Sequence, residues 1–137
     1  RRWHLHGGGG VSWKTPPYAG RLGFSVDPED GAMLMMAFGG AGLGRAGFLQ
    51  GGAISGLMEV AAIVALRHAL ADEGGGRIKP INVTVDFMRG GRDKPTWGKG
   101  VVTRLGTRVA NVEASAWQDD PAKPIAAARM NYLIARP

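Results

Sequence analysis

The sequence lacks several features that mark common classes of protein. It contains no cysteine, which excludes disulfides, a thiol nucleophile and a zinc–thiolate site. No apolar run reaches the roughly 18 residues of a membrane-spanning helix, so we expect no membrane association. The three histidines, His4, His6 and His68, lack the spacing of metal ligands, and we expect no metal site. The absence of cysteine is compatible with the cytosol, and we expect a cytoplasmic protein.

Positive charge is abundant in the sequence but is not clustered. The net charge is +6, yet the Lys and Arg residues are scattered along the chain, and only 7% of the residues are aromatic. A nucleic-acid-binding domain usually concentrates its positive charge in one patch or stripe. The composition therefore disfavours nucleic acid as a partner and leaves open an anionic or polyphosphate ligand.

The length and composition suit one globular domain. The 137 residues are 45% hydrophobic and 20% charged, and a chain of this size can bury a substantial core. Residues 1–17 include the glycine run Gly7–Gly10, and we expect them to form a flexible lead. The paired arginines in this lead are not followed by the apolar stretch of a signal peptide. Residues 18–137 are expected to form a single domain, since no repeat and no long linker divides them.

The predicted order of elements is two strands, one long helix and then further strands. The first two strands form a predicted hairpin, and a glycine-rich loop, Gly39–Gly47, precedes a helix from about Ala53 to Ala71. The glycines Gly74–Gly76 are a strong signal for the end of that helix. The predicted strands are Leu22–Val26, Met33–Phe38, Ile81–Phe87, Lys99–Leu105, Arg108–Trp117 and Pro124–Ala135, with turns at Asp27–Gly31 and Asp119–Lys123.

The helix is apolar on every side, which is typical of a buried helix. A curved antiparallel sheet wrapped around it would cover one side, so the pattern predicts an α+β fold. A single sheet leaves the other sides of the helix uncovered. We therefore expect the protein to form an oligomer.

Glu59 interrupts this apolar helix and is the most informative residue of the sequence. A buried polar group without a partner costs roughly 2–7 kcal/mol, and a buried charge costs more. We expect the carboxylate to lie out of bulk water, where it needs either a partner or a catalytic role. As a structural group it would bond to the backbone or to an arginine such as Arg45. As a catalytic group it would be a general base or a nucleophile, with Ser55 one turn earlier close enough to hydrogen-bond to it.

Gln50, Gly51 and Gly52 stand at the start of the predicted helix. The first backbone N–H groups of a helix lack internal acceptors and carry the positive end of the helix dipole. Glycines allow a substrate oxygen to approach that backbone closely, so the segment is a candidate oxyanion site for a carbonyl. Tight packing is the alternative explanation for the two glycines. With Glu59 two turns further on, the pattern indicates acyl transfer.

The segment GFLQGGAISGLMEVAAI (residues 47–63) resembles the signature of hotdog-fold acyl-CoA thioesterases in the phenylacetic-acid-degradation and 4-hydroxybenzoyl-CoA thioesterase group. That signature has His-Gly-Gly, several apolar residues, and an Asp or Glu at the ninth position after the His, which is Glu59 here. Residues 81–90, 101–120 and 123–134 resemble later strands of the family. The resemblance runs from about Tyr18 to the end of the chain.

The resemblance implies a hotdog fold, subunits paired into dimers or homotetramers, and active sites at the subunit interface. It implies hydrolysis of an acyl-CoA to a carboxylic acid and free coenzyme A, with no cofactor because coenzyme A is part of the substrate. Glu59 would be the nucleophile or general base, while the Gly51 amide and Gln50 would hold the thioester carbonyl. Arginines would bind the phosphates of coenzyme A. The implied substrate-binding residues are Phe48, Gly52, Ser55, Met58, Arg89, Arg104, Gly106, Thr107 and Arg108.

Two positions depart from the family pattern. Gln50 replaces the family's His, and Gly44 stands near the position where an Asn or Gln is often found. Gln can donate a hydrogen bond to an oxygen, but it cannot shuttle a proton. A hotdog protein that binds acyl-CoA without hydrolysing it is therefore the alternative function. A hotdog dehydratase is disfavoured, because that chemistry usually needs a His beside an acid.

Overall fold

The computed structural model describes residues 24–26, 33–36, 43–45, 48–49, 51–92 and 94–137. The expected flexible lead (residues 1–17) and the start of the expected domain lie outside these residues, as does Gln50. The elements in chain order are β1 (Phe24–Val26), β2 (Met33–Met36), β3 (Leu43–Arg45), β4 (Phe48–Leu49), α1 (Gly51–Ala71), β5 (Arg77–Phe87), β6 (Thr96–Leu105), β7 (Val109–Trp117) and β8 (Ala126–Ala135).

The predicted α+β architecture is confirmed. Six strands form one antiparallel sheet in the order β1-β2-β6-β7-β8-β5, and the single long helix of the described residues packs on it. The first two predicted strands pair as expected, although their connector Asp27–Gly31 lies outside the described residues. The expectation of a plain loop over Gly39–Gly47 is wrong, because β3 lies within it and pairs with β4.

Two glycines in β6 set the distance between the helix and the sheet. A Cβ atom on Gly98 would lie 2.8 Å from the Cγ of Leu57, and a Cβ on Gly100 would lie 2.6 Å from the carbonyl oxygen of Ala61. Real Cβ atoms do not come this close to their neighbours, so only glycine allows the helix backbone to lie so near the strand. The Leu57 and Ala61 side of α1 therefore faces β6.

One stripe of the helix is less buried than the rest. Most α1 side chains are buried, whereas Ser55, Glu59, Ile63 and Arg67 are half-buried. Residues four apart lie on the same face of a helix, so these four form one stripe. Glu59 is two positions from both Leu57 and Ala61, which at 3.6 residues per turn directs it away from β6. The expectation of a helix buried on all sides is therefore wrong along this stripe.

By length and composition alone, α1 could cross a membrane, although Glu59 and Arg67 interrupt its apolar residues and no unbroken apolar run in it reaches 18 residues. However, 61% of the 18-residue stretch that meets this criterion is buried inside the fold. The core helix of a folded domain meets the same criterion.

Strand β5 lies at one end of the sheet order and pairs only with β8 among the described strands. Its other edge is therefore open within the described part of the chain. Large apolar side chains are exposed along this strand and just after it, with Ile81 50%, Phe87 55% and Met88 51% exposed. An open edge bearing apolar side chains is a surface that proteins usually cover.

Candidate active site

The helix begins at Gly51 with an open backbone. Gly51 and Gly52 are both exposed. A Cβ on Gly51 would make an ordinary contact with the Phe87 ring at 3.5 Å, and a Cβ on Gly52 would meet nothing within 4 Å. Tight packing against the described residues therefore does not explain Gly52. The first N–H groups of a helix lack internal acceptors, and here the residues that carry them are exposed glycines.

Glu59 lies two turns further along, on the half-buried stripe with Ser55. The expectation that its carboxylate lies out of bulk water is met only in part, because the Glu59 side chain is half-buried in the single chain and keeps partial access to solvent. A base that must activate water needs such access. Met58, the preceding residue, is fully buried in the core and does not share this stripe. The side chain of Phe48 lies outside what the structure describes.

Tyr132 on β8 is a buried phenol that the sequence analysis did not single out. Burial, together with the negative charge of Glu59, raises the pKa of Tyr132 to about 12. The hydroxyl lies 3.4 Å from the sulfur of Met130, and Tyr132 is only 2% exposed. Tyr132 therefore stays a neutral phenol within the electrostatic reach of Glu59. A tyrosine in an apolar strand gives no sequence signal for this role, since the interaction joins residues 73 positions apart.

The candidate phosphate-binding arginines divide between the two ends of the sheet. We call these the Gly51 end, where α1 and β6 begin and β5 finishes, and the Gly75 end, where α1 and β6 finish and β5 begins. Arg89 lies at the Gly51 end, two residues after Phe87. Arg108 lies at the Gly75 end, where its carbonyl accepts a hydrogen bond from the Ile134 N–H. Strands rise about 3.4 Å per residue, so the two ends of β5 are roughly 30 Å apart.

The Gly75 end contains a cleft of about 550 Å³, lined by Arg104, Gly106, Thr107, Arg108, Val109 and Asn111. All four of the predicted substrate-binding residues of this segment therefore come together. Arg136 fixes their turn: its guanidinium donates to the carbonyl oxygens of Thr107 and Gly106, and it pairs with Glu73 at 2.6 Å. An adjoining cleft of about 630 Å³ adds Arg77 and Lys79. The sequence analysis did not assign these two, although they alternate along β5.

Comparisons with known proteins agree with this architecture. The model of the thioesterase superfamily matches residues 46–125. No match was found among curated proteins. A solved protein from Chromobacterium violaceum is 30% identical, with 87% of this chain and 83% of that chain covered and a TM-score of 0.69.

Two further solved structures are similar. A phenylacetic acid degradation-related protein from Ralstonia eutropha is 25% identical, covers 88% of this chain and 92% of its own, and has a TM-score of 0.70. A Bacillus halodurans protein solved with CoA is 12% identical and has a TM-score of 0.75, with 88% of this chain and 77% of that chain covered. At this identity it supports the fold alone. Since the family match spans more than half of the chain, the protein belongs to the thioesterase superfamily and has its hotdog fold.

Proposed function

We propose that this protein is an acyl-CoA thioesterase, which uses water to cleave a thioester into a carboxylic acid and free coenzyme A. The observation that carries the proposal is the arrangement along α1. An open, glycine-bordered helix start can polarise the carbonyl, and Glu59 lies on the same helix with partial access to water. Glu59 either takes a proton from the attacking water or attacks the carbonyl carbon itself.

The spacing of the two groups indicates that one active site uses two copies of the chain. Gly51 and Glu59 are eight residues apart, which is about 12 Å along a helix. A carbonyl oxygen and its attacking group must both lie within about 3 Å of their catalytic partners. The Glu59 side chain leans towards the helix start, but the remaining separation is long for one thioester to bridge. We infer that the Gly51 amide of one chain works with Glu59 of another.

The open edge of β5 supports such a pairing. If two copies meet through their β5 edges around a two-fold axis, the two strands run antiparallel. The Gly51 end of one copy then lies beside the Gly75 end of the other. This arrangement also covers the exposed side chains of Ile81, Phe87 and Met88. The same edge supports the proposed homo-oligomer with sites at the subunit interface.

The same pairing brings the divided arginines together. Arg89 of one copy would approach the cleft of Arg104 and Arg108 in the other, although the two groups are far apart within one chain. Guanidinium groups bind phosphate in forked pairs. The similar Bacillus halodurans protein was solved with CoA, which supports CoA as the carrier of the acyl group.

The test is the release of free thiol from short, medium, long and aromatic acyl-CoAs by the wild type and by Glu59→Ala. We expect release by the wild type and loss of most turnover in the variant, whose secondary structure and oligomeric state stay unchanged. Ile63→Ala, on the same helix stripe one turn later, is the matched control and should keep its turnover. Wild-type turnover in Glu59→Ala would refute the assignment of Glu59.

The alternative function is acyl-CoA binding without hydrolysis. The observation that favours it is Gln50 in place of the family's His, since Gln cannot move a proton. It predicts that calorimetry detects acyl-CoA binding while no acyl-CoA of the panel releases thiol.

A further inference from the structure

The segment that joins β5 to β6 carries positive charge at the Gly51 end. Arg89, Arg92 and Lys94 lie on it, just after Phe87, whose ring lies beside the first turn of α1. Between the two arginines stand Gly90 and Gly91. A glycine pair has the largest conformational freedom of any dipeptide, so this part of the segment has little stiffness of its own.

Gln118, which follows β7, fixes this segment with its side-chain amide. Its Oε1 accepts a hydrogen bond from the Arg92 N–H at 3.0 Å, and its Nε2 donates to the Arg92 carbonyl oxygen at 2.8 Å. The same Nε2 lies 3.0 Å from the Oγ1 of Thr96, which is fully buried. A side-chain amide carries both a donor and an acceptor, so one residue holds both backbone groups of Arg92.

A second attachment holds the other arginine. The carbonyl oxygen of Ile125 accepts hydrogen bonds from the N–H groups of Met88 at 2.8 Å and Arg89 at 3.2 Å. The backbone on both sides of the glycine pair is therefore fixed. Each attachment comes from the chain between β7 and β8, 26 to 37 residues away in sequence.

The charges of the segment are not equivalent. Lys94 pairs with both carboxylate oxygens of Asp119 at 2.7 Å, so its charge is neutralised. The Arg89 side chain is exposed and has no hydrogen bond or ion pair with any described residue. A positive side chain on a fixed backbone is suited to an anionic ligand, because less ordering remains to be done on binding.

We propose that Gln118 is a positioning residue: it holds the Arg89–Arg92 segment in place so that the Arg89 side chain binds the phosphates of the coenzyme A nucleotide. The inference rests on the proposed function and names the part of the substrate that this segment recognises. Gln118 touches no reacting atom. It acts on affinity for the nucleotide and leaves the chemical step alone.

The experiment compares two thioesters of the same acyl group, one on coenzyme A and one on pantetheine, which lacks the nucleotide. In Gln118→Ala we expect KM for the acyl-CoA to rise about tenfold, since ordering the backbone of one residue on binding costs about 1–2 kcal/mol. We expect kcat to change less than twofold and KM for the pantetheine thioester to stay the same. Asp120→Ala is the control, because it removes a neighbouring side-chain bond, to the Ala122 N–H at 2.9 Å, without touching the segment.

A double-mutant cycle separates positioning from general loss of structure. If Gln118 acts through Arg89, then Arg89→Ala raises KM for the acyl-CoA less in a Gln118→Ala background than in the wild type. Additive effects, equal rises in KM for both thioesters, or no change would overturn the proposal. Gln118→Glu, which keeps the acceptor and loses the donor, replaces the alanine variant if the latter unfolds.

The two proposals fail in different ways. If the wild type binds acyl-CoA without releasing thiol, the proposed hydrolysis is refuted, and the ratio of Kd values for coenzyme A and pantetheine measured by calorimetry replaces the KM comparison. A wild type that hydrolyses both thioesters equally well, with no preference for the nucleotide, refutes the role of Gln118 and leaves the hydrolysis standing. A wild type that binds neither refutes both.

Discussion

A subunit-mixing experiment tests whether the active site is shared between two chains. Glu59→Ala removes the carboxylate, and Gly51→Pro removes the amide N–H that would polarise the carbonyl. Proline is tolerated at the first position of a helix, and a Cβ at residue 51 meets only the Phe87 ring at 3.5 Å. Each variant alone should therefore fold and be inactive.

The expected recovery of activity follows from the number of complete sites in each kind of pair. If Glu59 of one copy serves the Gly51 amide of the other, a mixed pair contains one site with both groups and one site with neither. Random mixing makes half of the pairs mixed, so activity should return to about one quarter of the wild-type value. The assay is thiol release after the two purified variants are unfolded together and refolded, with native mass spectrometry to count mixed pairs.

The reasoning would be refuted if confirmed mixed pairs stayed inactive, since both groups would then be required from the same chain. Gly51→Ala is the matched control, because it keeps the N–H and adds a side chain that fits. It should retain more turnover than Gly51→Pro, although its added methyl group hinders the close approach of the carbonyl oxygen. Full activity of Gly51→Pro would show that this amide does not hold the carbonyl.

Two predictions concern stability. Gly100→Ala places a Cβ 2.6 Å from the Ala61 carbonyl oxygen and should lower the free energy of unfolding, measured in urea, by about 1–3 kcal/mol. Gly52→Ala is the control, because a Cβ there meets nothing within 4 Å and should not destabilise the protein. Equal free energies of unfolding for the two variants would contradict the close contact at Gly100. The pKa of Tyr132 is raised to about 12 in the folded state, whereas in the unfolded chain it is near 10. Its contribution to the free energy of unfolding is therefore fully present below pH 10 and is lost as the pH rises through 12. The wild type should therefore lose roughly 2–3 kcal/mol between pH 10 and 12, and Tyr132→Phe should remove that loss; parallel pH profiles of the two proteins would argue against it.

Much of the fold could be predicted because the apolar patterns match the elements. The long helix and the alternating strands after it were recognised from their periods. Strand β5 begins at Arg77, four residues before its predicted start, because Arg77, Lys79 and Pro80 do not resemble a buried strand. An edge strand accepts charged residues and proline, so the missing information was its position in the sheet.

The candidate site was only partly predictable. Glu59 was recognisable because a charge in an apolar helix is an anomaly within one segment. Tyr132 and Gln118 are ordinary residues in their own segments, and their partners are 73 and 26 positions away. Such pairs depend on strand register, which local sequence patterns do not encode.

The proline in β5 also bears on solubility. Pro80 has no N–H to donate, and the β5–β8 register shifts between Pro80 and Asn82, so only part of this open edge offers a regular row of hydrogen bonds to another strand. A two-fold contact would use that row from both copies and leave none for a third. Within the proposed pair, the β5 edge would therefore have little means of recruiting further strands into an aggregate.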